Sequence, residues 1–156
     1  MKTQIAIGAD HAGYRVKEQI KKHLSSLGVS FTDYGTDSEE SVDYPVYAEK
    51  VARAVVAGEA EDGILICGSG IGIGIAANKI AGIRAALAWD EETAKLSRMH
   101  NDANVLTIGE RTTPNETIPK IVEAFLNTKF LGGRHERRVE EITALENSKG
   151  GIAAKC

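Results

Sequence analysis

The chain has little cysteine: two residues, Cys67 and Cys156, in a sequence of 156. Two thiols make no disulfide framework, so a reducing cytoplasm is the expected setting. Long apolar runs are missing too. None approaches the ~20 residues that span a bilayer, and the opening Met-Lys-Thr-Gln-Ile-Ala-Ile leads into a strand pattern instead of a signal peptide. No membrane association is expected. Charge of one sign is scarce, since 19 Lys+Arg against 22 Asp+Glu leave a formal net charge of −3. That excludes the basic surface needed to follow a phosphate backbone, and nucleic acid with it. The Walker pattern Gly-x-x-x-x-Gly-Lys-Ser/Thr does not occur. His, Cys and carboxylates nowhere adopt metal-ligand spacing, so no metal is implied. Repeats, linkers and low-complexity segments are absent as well.

What is present is an ordinary globular composition, 42% hydrophobic and 26% charged, on a chain long enough for one core. One domain is expected over 1–149, with a weakly structured tail over 150–156. Gln4–Ala9 reads as a first strand, followed by a helix with Val16, Ile20, Leu24 and Leu27 on one face and Gly28 at its end. Val29–Tyr34 is a second strand, and Asp43-Tyr44-Pro45 opens a helix lined by Ala48, Val51, Ala52 and Val55. Ile64 to Cys67, Arg84 to Ala88 and Asn104 to Ile108 complete five strands. Asp90 caps a helix that runs out at His100-Asn101-Asp102. Another helix carries Ile118, Ile121, Val122 and Phe125, and a last one, Arg134 to Glu146, has Val139, Ile142 and Leu145 as its apolar stripe. Strands alternating with helices predict an α/β domain, a parallel five-stranded sheet covered on both sides.

Gly63 to Lys79 carries the strongest chemical signal. Ile64-Leu65-Ile66 ends on Cys67, and glycines follow at 68, 70, 72 and 74. Alternating glycines remove Cβ shielding, so successive N–H groups can converge on one oxyanion at a helix start. A thiol at the rim of such a cradle is drawn toward the thiolate by those dipoles. The plain alternative is a small buried hydrophobe beside a tight turn, although four glycines exceed what a turn requires. Strand ends after 9, 67 and 108, with the helix end at 100, are expected to gather Asp10, His11, Cys67, Ser69, His100 and Arg111 at one sheet edge. Those types supply a base, acids and an anion clamp, the parts for proton transfer on an anionic substrate. Asp10 has a competing role as a helix cap. Arg134 and Arg138, one turn apart, read as a phosphate fork or as plain surface charge. A Gly-x-Gly-x-x-Ala at 72–77 starts too far past its strand to read as a dinucleotide fingerprint.

Gly-Ala-Asp-His-Ala-Gly (8–13), Asp-Tyr-Pro (43–45), Ile-Cys-Gly-Ser-Gly-Ile-Gly (66–72), Ala-Ala-Asn-Lys (76–79), His-Asn-Asp (100–102) and Gly-Gly-Arg-His (132–135) occur in this order. In them the chain resembles the type B ribose-5-phosphate isomerases, whose wider family includes allose-6-phosphate and galactose-6-phosphate isomerases. The resemblance runs from the first strand to about Glu146. It implies a three-layer, Rossmann-like α/β/α fold with a C-terminal helix, no metal or other cofactor, and a homodimer or tetramer with active sites between subunits. The implied reaction interconverts ribose 5-phosphate and ribulose 5-phosphate through a cis-enediolate.

By the same resemblance Cys67 is the base that moves a proton between C2 and C1, and the backbone of Gly68, Ser69, Gly70, Ile71 and Gly72 holds the enediolate oxygens. Asp10, His11 and His100 serve ring opening and the sugar hydroxyls, helped by Ser69, Tyr44 and Asn101. Arg111, Arg134 and Arg138 bind phosphate, the last two from the partner subunit. Members with a glutamate base would carry it at the position of Ile73, so this chain resembles the cysteine branch. A six-carbon sugar phosphate, or a binding module for sugar phosphates or nucleotides without chemistry, are the alternatives. Cys67 and His100 speak for the enzyme, because a pure binder needs no base.

Overall fold

The computed structural model describes residues 4–147, so the expected tail, with Cys156, lies outside the described residues. The apolar runs form β1 (Gln4–Ala9), β2 (Ser30–Asp33), β3 (Asp62–Cys67), β4 (Ala85–Leu87) and β5 (Val105–Gly109). All pair in parallel, in the order β2-β1-β3-β5-β4. The three inner strands are buried on both faces, which is why their sequences read as largely apolar runs. Around them stand α1 (Tyr14–Ser26), α2 (Tyr44–Val56), α3 (Ile71–Ala77), α4 (Glu91–Asn101), α5 (Ile118–Asn127) and α6 (Arg134–Leu145).

Right-handed crossovers decide which face each helix covers. Val16, Ile20 and Leu24 of α1, Ala94 of α4 and Ile121 and Phe125 of α5 pack on Ile7, Ile64, Ile66 and Leu106. Val51 and Ala52 of α2 and Ile73 and Ala77 of α3 pack on the other face, against Ala6, Leu65, Cys67 and Val105. The result is the expected three-layer α/β/α arrangement. Edge strand β4 is closed by a side chain: Asn78 Oδ1 accepts from Ala85 N at 2.7 Å, and Asn78 Nδ2 donates to Ala85 O at 2.9 Å.

Two ionic knots fix helices to the sheet. Lys17 of α1 is 1% exposed and donates to Asp33 Oδ2 at the end of β2 and to Glu18 at 3.0 Å. A buried ammonium without those carboxylates would be strongly destabilising. Arg98, in the last turn of α4, donates from Nη1 to Asp62 Oδ1 at 2.8 Å, while its guanidinium lies 4.7 Å from the Phe125 ring centroid. Asp62 is the first residue of β3, so this knot ties the end of α4 to the N-terminal edge of the sheet.

One expectation needs correcting. The stripe on α6 is not buried: Ile142 and Leu145 are exposed, and His135 is the helix's single buried residue. An amphipathic pattern says that a face wants cover, not that its own chain supplies it.

Candidate active site

Ligands in open α/β sheets sit where adjacent strands send their following segments to opposite faces. That point lies between β1 and β3, since β1 leads to α1 on one face and β3 to α3 on the other. Asp10 follows β1 and is buried. Its N–H donates to Ile66 O at 3.3 Å, and its Oδ1 accepts from Gly13 N at 3.1 Å. The capping role is therefore realised, on a 3₁₀ turn over His11–Gly13 that precedes α1. His11 Nδ1 stands 3.1 Å from Val42 N and 3.2 Å from Val42 O, which pins the ring to the loop before α2. Tyr44 opens α2 and lies over the cradle, because a Cβ on Gly72 would stand 2.7 Å from Tyr44 Cζ.

Cys67 closes β3 as a free thiol, 4% exposed. Its side chain points to the face covered by α3, so the sulfur lies beneath the cradle and not at an open rim. Gly70 N donates to Cys67 Sγ at 3.1 Å. Gly70 itself has φ +73° and ψ −5°, and a Cβ there would stand 2.6 Å from Leu87 Cδ1 and 2.8 Å from the Ile108 carbonyl carbon. Only glycine fits. Ser69 Oγ accepts from Ile71 N at 3.2 Å, and Ile73, where a carboxylate would stand in the glutamate branch, is fully buried. Arg111 N donates to Gly68 O at 2.9 Å, and its guanidinium lies against the same residue.

His100 and Asn101 are elsewhere. A helix joining parallel strands must carry the chain back to their N-terminal ends, so α4 starts at the ligand edge and finishes at the opposite one. Arg84 precedes β4, and its Nε donates to Asn101 O at 3.1 Å. The expectation that His100 joins Asp10 and Cys67 within one chain is thereby corrected. The start of α6 meets this far edge as well. Leu131 N donates to Met99 O at 3.1 Å, and the His135 ring stacks on His100 with centroids 4.3 Å apart and planes 10° from parallel. Arg134 and Arg138 are exposed there, and among the described residues neither enters an ion pair. One chain thus holds two groups at opposite sheet edges. Asp10, His11, Tyr44, Cys67, Gly68–Gly72 and Arg111 form one; His100, Asn101, Arg134, His135 and Arg138 form the other.

Among the described residues no three His, Cys, Asp or Glu side chains stand together as metal ligands, and no helix is long and apolar enough to cross a membrane. Gly72 to Ala77 lies inside α3, not in a strand-to-helix turn, so it is no dinucleotide fingerprint.

The family described as ribose/galactose isomerase matches residues 5–142. The chain belongs to that family. It is 51% identical over 146 residues to the ribose-5-phosphate isomerase B of Escherichia coli, covering 94% of this chain and 98% of that one. A putative sugar phosphate isomerase of Bacillus subtilis is 46% identical, over 92% of this chain and 97% of its own length. Among solved structures, the Clostridium thermocellum ribose-5-phosphate isomerase B superposes with a TM-score of 0.91 at 48% identity, covering 92% and 97% of the two chains. The type B enzyme of Trypanosoma brucei gives 0.90 at 50% identity, covering 94% and 100%. The sequence resemblance to type B ribose-5-phosphate isomerases is therefore established, and the chain is an isomerase.

Within this isomerase, His135 is the residue that sequence reasoning left without a role. Its place beside Arg134 in Gly-Gly-Arg-His was the available signal. Burial, and then the positive charges of His100, Arg134 and Arg138, hold its imidazole below the usual histidine range. The unfolded chain takes up a proton near pH ~6.5 while the native ring stays neutral, so stability is present above that pH and declines as pH falls toward the lower native value. Melting temperatures measured between pH 7.5 and 5.5 should fall, and His135→Phe, which stacks without titrating, should flatten the decline. Equal slopes in the two proteins would remove His135 as the cause.

Proposed function

We propose that this isomerase interconverts ribose 5-phosphate and ribulose 5-phosphate through a cis-enediolate, with the Cys67 thiolate as the base. In the open-chain aldose the thiolate takes the C2 proton, and the electron pair moves through C1 onto the carbonyl oxygen. The thiol, whose proton can exchange with solvent at this stage, then protonates C1 while the O2 proton moves to O1, which leaves the ketone at C2. The observation that carries this reading is the Gly70 N–H donated to Cys67 Sγ at 3.1 Å, at the strand junction where α/β sheets hold ligands. Backbone donors between Gly68 and Gly72 stabilise the enediolate oxygens as charge develops, a contribution of about 3 kcal/mol for each such donor. The four relatives named above, at 46–51% identity, support the substrate class.

Ring opening and phosphate binding then require a second copy. His100, Asn101, Arg134 and Arg138 lie at the wrong edge to serve Cys67 of their own chain. A two-fold dimer with antiparallel sheets brings one chain's far edge to the other's ligand edge, twice over. The surfaces favour such a partner. Ile71 and Ile75, one turn apart on α3, are 54% and 59% exposed. An open groove of about 580 Å³ beside Asn101 is lined by Ile83, Ala85, Ile142 and Leu145. In this arrangement His11, Asp10 and the partner's copy of His100 handle ring opening, Ser69, Tyr44 and Asn101 meet hydroxyls, and Arg111 with Arg134 and Arg138 clamps phosphate.

The reading is tested by assaying ribose 5-phosphate, allose 6-phosphate and galactose 6-phosphate side by side, with and without a chelator. Ribose 5-phosphate should be the best of the three, at a rate the chelator leaves unchanged. A preference for a six-carbon sugar, or loss of activity on chelation, would overturn it.

A further inference from the structure

The geometry points to Thr107 of β5 as a positioning residue for the reacting sulfur: its hydroxyl anchors the carbonyl of Gly70, the residue whose N–H meets Cys67 Sγ. This rests on the reading of Cys67 as the base.

Thr107 is the polar exception in an otherwise aliphatic strand, Val105-Leu106-Thr107-Ile108-Gly109, and it is 0% exposed. A hydroxyl buried that deeply is costly unless it is hydrogen-bonded. Its partner is not in the sheet. Thr107 Oγ1 donates to Gly70 O at 2.9 Å, across 37 residues of sequence. The close approach is permitted by Gly74, one turn further along α3, where a Cβ would stand 3.3 Å from Thr107 Oγ1.

Gly70 needs such an anchor. Its left-handed conformation and its contacts with Leu87, Ile108 and Gly109 exclude any side chain. The residue that must stand there is thus the one whose own torsions are least restrained. Three hydrogen bonds hold the two peptides on either side of it. Gly70 N donates to Cys67 Sγ, Ile71 N donates to Ser69 Oγ, and Gly70 O accepts from Thr107. The first two close small rings within the loop and would move with it. The third ties the loop to β5, which pairs at this level with Leu65 of β3 on one side and Leu87 of β4 on the other. Thr107 therefore transfers the rigidity of the sheet to the N–H that faces the sulfur. Without the hydroxyl, the Gly70–Ile71 peptide loses its tie to β5, the torsions of Gly70 relax, and the Ser69–Gly70 peptide, whose N–H serves the thiolate, shifts with them.

The test uses the full chain in a Cys156→Ser background, where Cys67 is the sole thiol. Thiolate is read by its absorbance at 240 nm at pH 8, with the Cys67→Ala protein as blank, and turnover is read with ribose 5-phosphate. Thr107→Val and Thr107→Ala, which both lack the hydroxyl, should lower the thiolate signal about threefold or more and lower kcat in step, with KM changed less than about twofold. Thr107→Ser, which keeps the hydroxyl, should stay within about twofold of the parent in both. If the hydroxyl-free variants melt earlier yet keep the full thiolate signal, Thr107 is only a stability residue and the inference fails. It fails equally if Thr107→Ser is as poor as Thr107→Val. Loss of thiolate with turnover intact would leave the anchor standing and remove Cys67 from the reaction, so the two readings fail separately.

Discussion

Cys67→Ala should lower kcat with ribose 5-phosphate by about 10²- to 10⁴-fold, the range a positioned base contributes. It should also stop exchange of the C2 proton with solvent. Binding should persist, because the groups proposed to hold phosphate, Arg111 on this edge and Arg134 and Arg138 on the other, are untouched. Folding should persist too: one buried sulfur is lost from a face where Leu65, Ile73 and Val105 remain packed. Cys67→Ser should be nearly as inactive, since a hydroxyl cannot ionise near neutral pH even with Gly70 N at its side. Substrate should slow alkylation of Cys67 by iodoacetamide, and removing Cys156 should leave turnover unchanged. Retained C2 exchange in Cys67→Ala would send the search for the base to Asp10 and His11, the acid–base groups on the same edge.

The second large effect is a recovery. Arg138→Ala and Cys67→Ala should each be nearly inactive alone, the first through weakened substrate binding with little loss of folding. Mixed by unfolding and refolding together, they should regain about a quarter of the wild-type activity per chain. Random pairing makes about half the dimers mixed, and in each mixed dimer one of two sites draws an intact Cys67 and an intact Arg138 from different chains. His100→Asn should complement Cys67→Ala in the same way, because His100 shares the edge of Arg138. Without recovery in the mixed population, the far-edge group serves no neighbouring site, and the proposed assembly is wrong.

Most of the fold was readable in the sequence because burial on both faces leaves a local trace. β1, β3 and β5 appear as largely apolar runs, and Asp90 with Thr93 forms the capping box that opens α4. The ligand edge was readable for the same reason, since Asp10 follows β1, Cys67 closes β3 and Arg111 stands two residues past β5. What failed was direction. His100 was grouped with strand ends because it ends an element, yet α4 runs against the strands and carries it away. The exposure of Ile142 and Leu145 was also beyond local reading, as periodicity identifies a face and not its cover. His135 and Thr107 depend on contacts spanning 35 and 37 residues, which no window of neighbours records.

The sheet order has a consequence for how the molecule loses activity on warming. Cys67 rides on the central strand, paired on both sides, among the last segments to open when a domain fluctuates. Arg134 and Arg138 ride on α6, which sinks a single side chain into the protein. In the proposed site the thiol and the arginines are thus carried by the same chain on parts of very different tenacity. Inactivation by heat should then begin as a fraying of α6 while the sheet is still whole, reverse on cooling, and be delayed by excess inorganic phosphate if the proposed arginine clamp holds the helix in place.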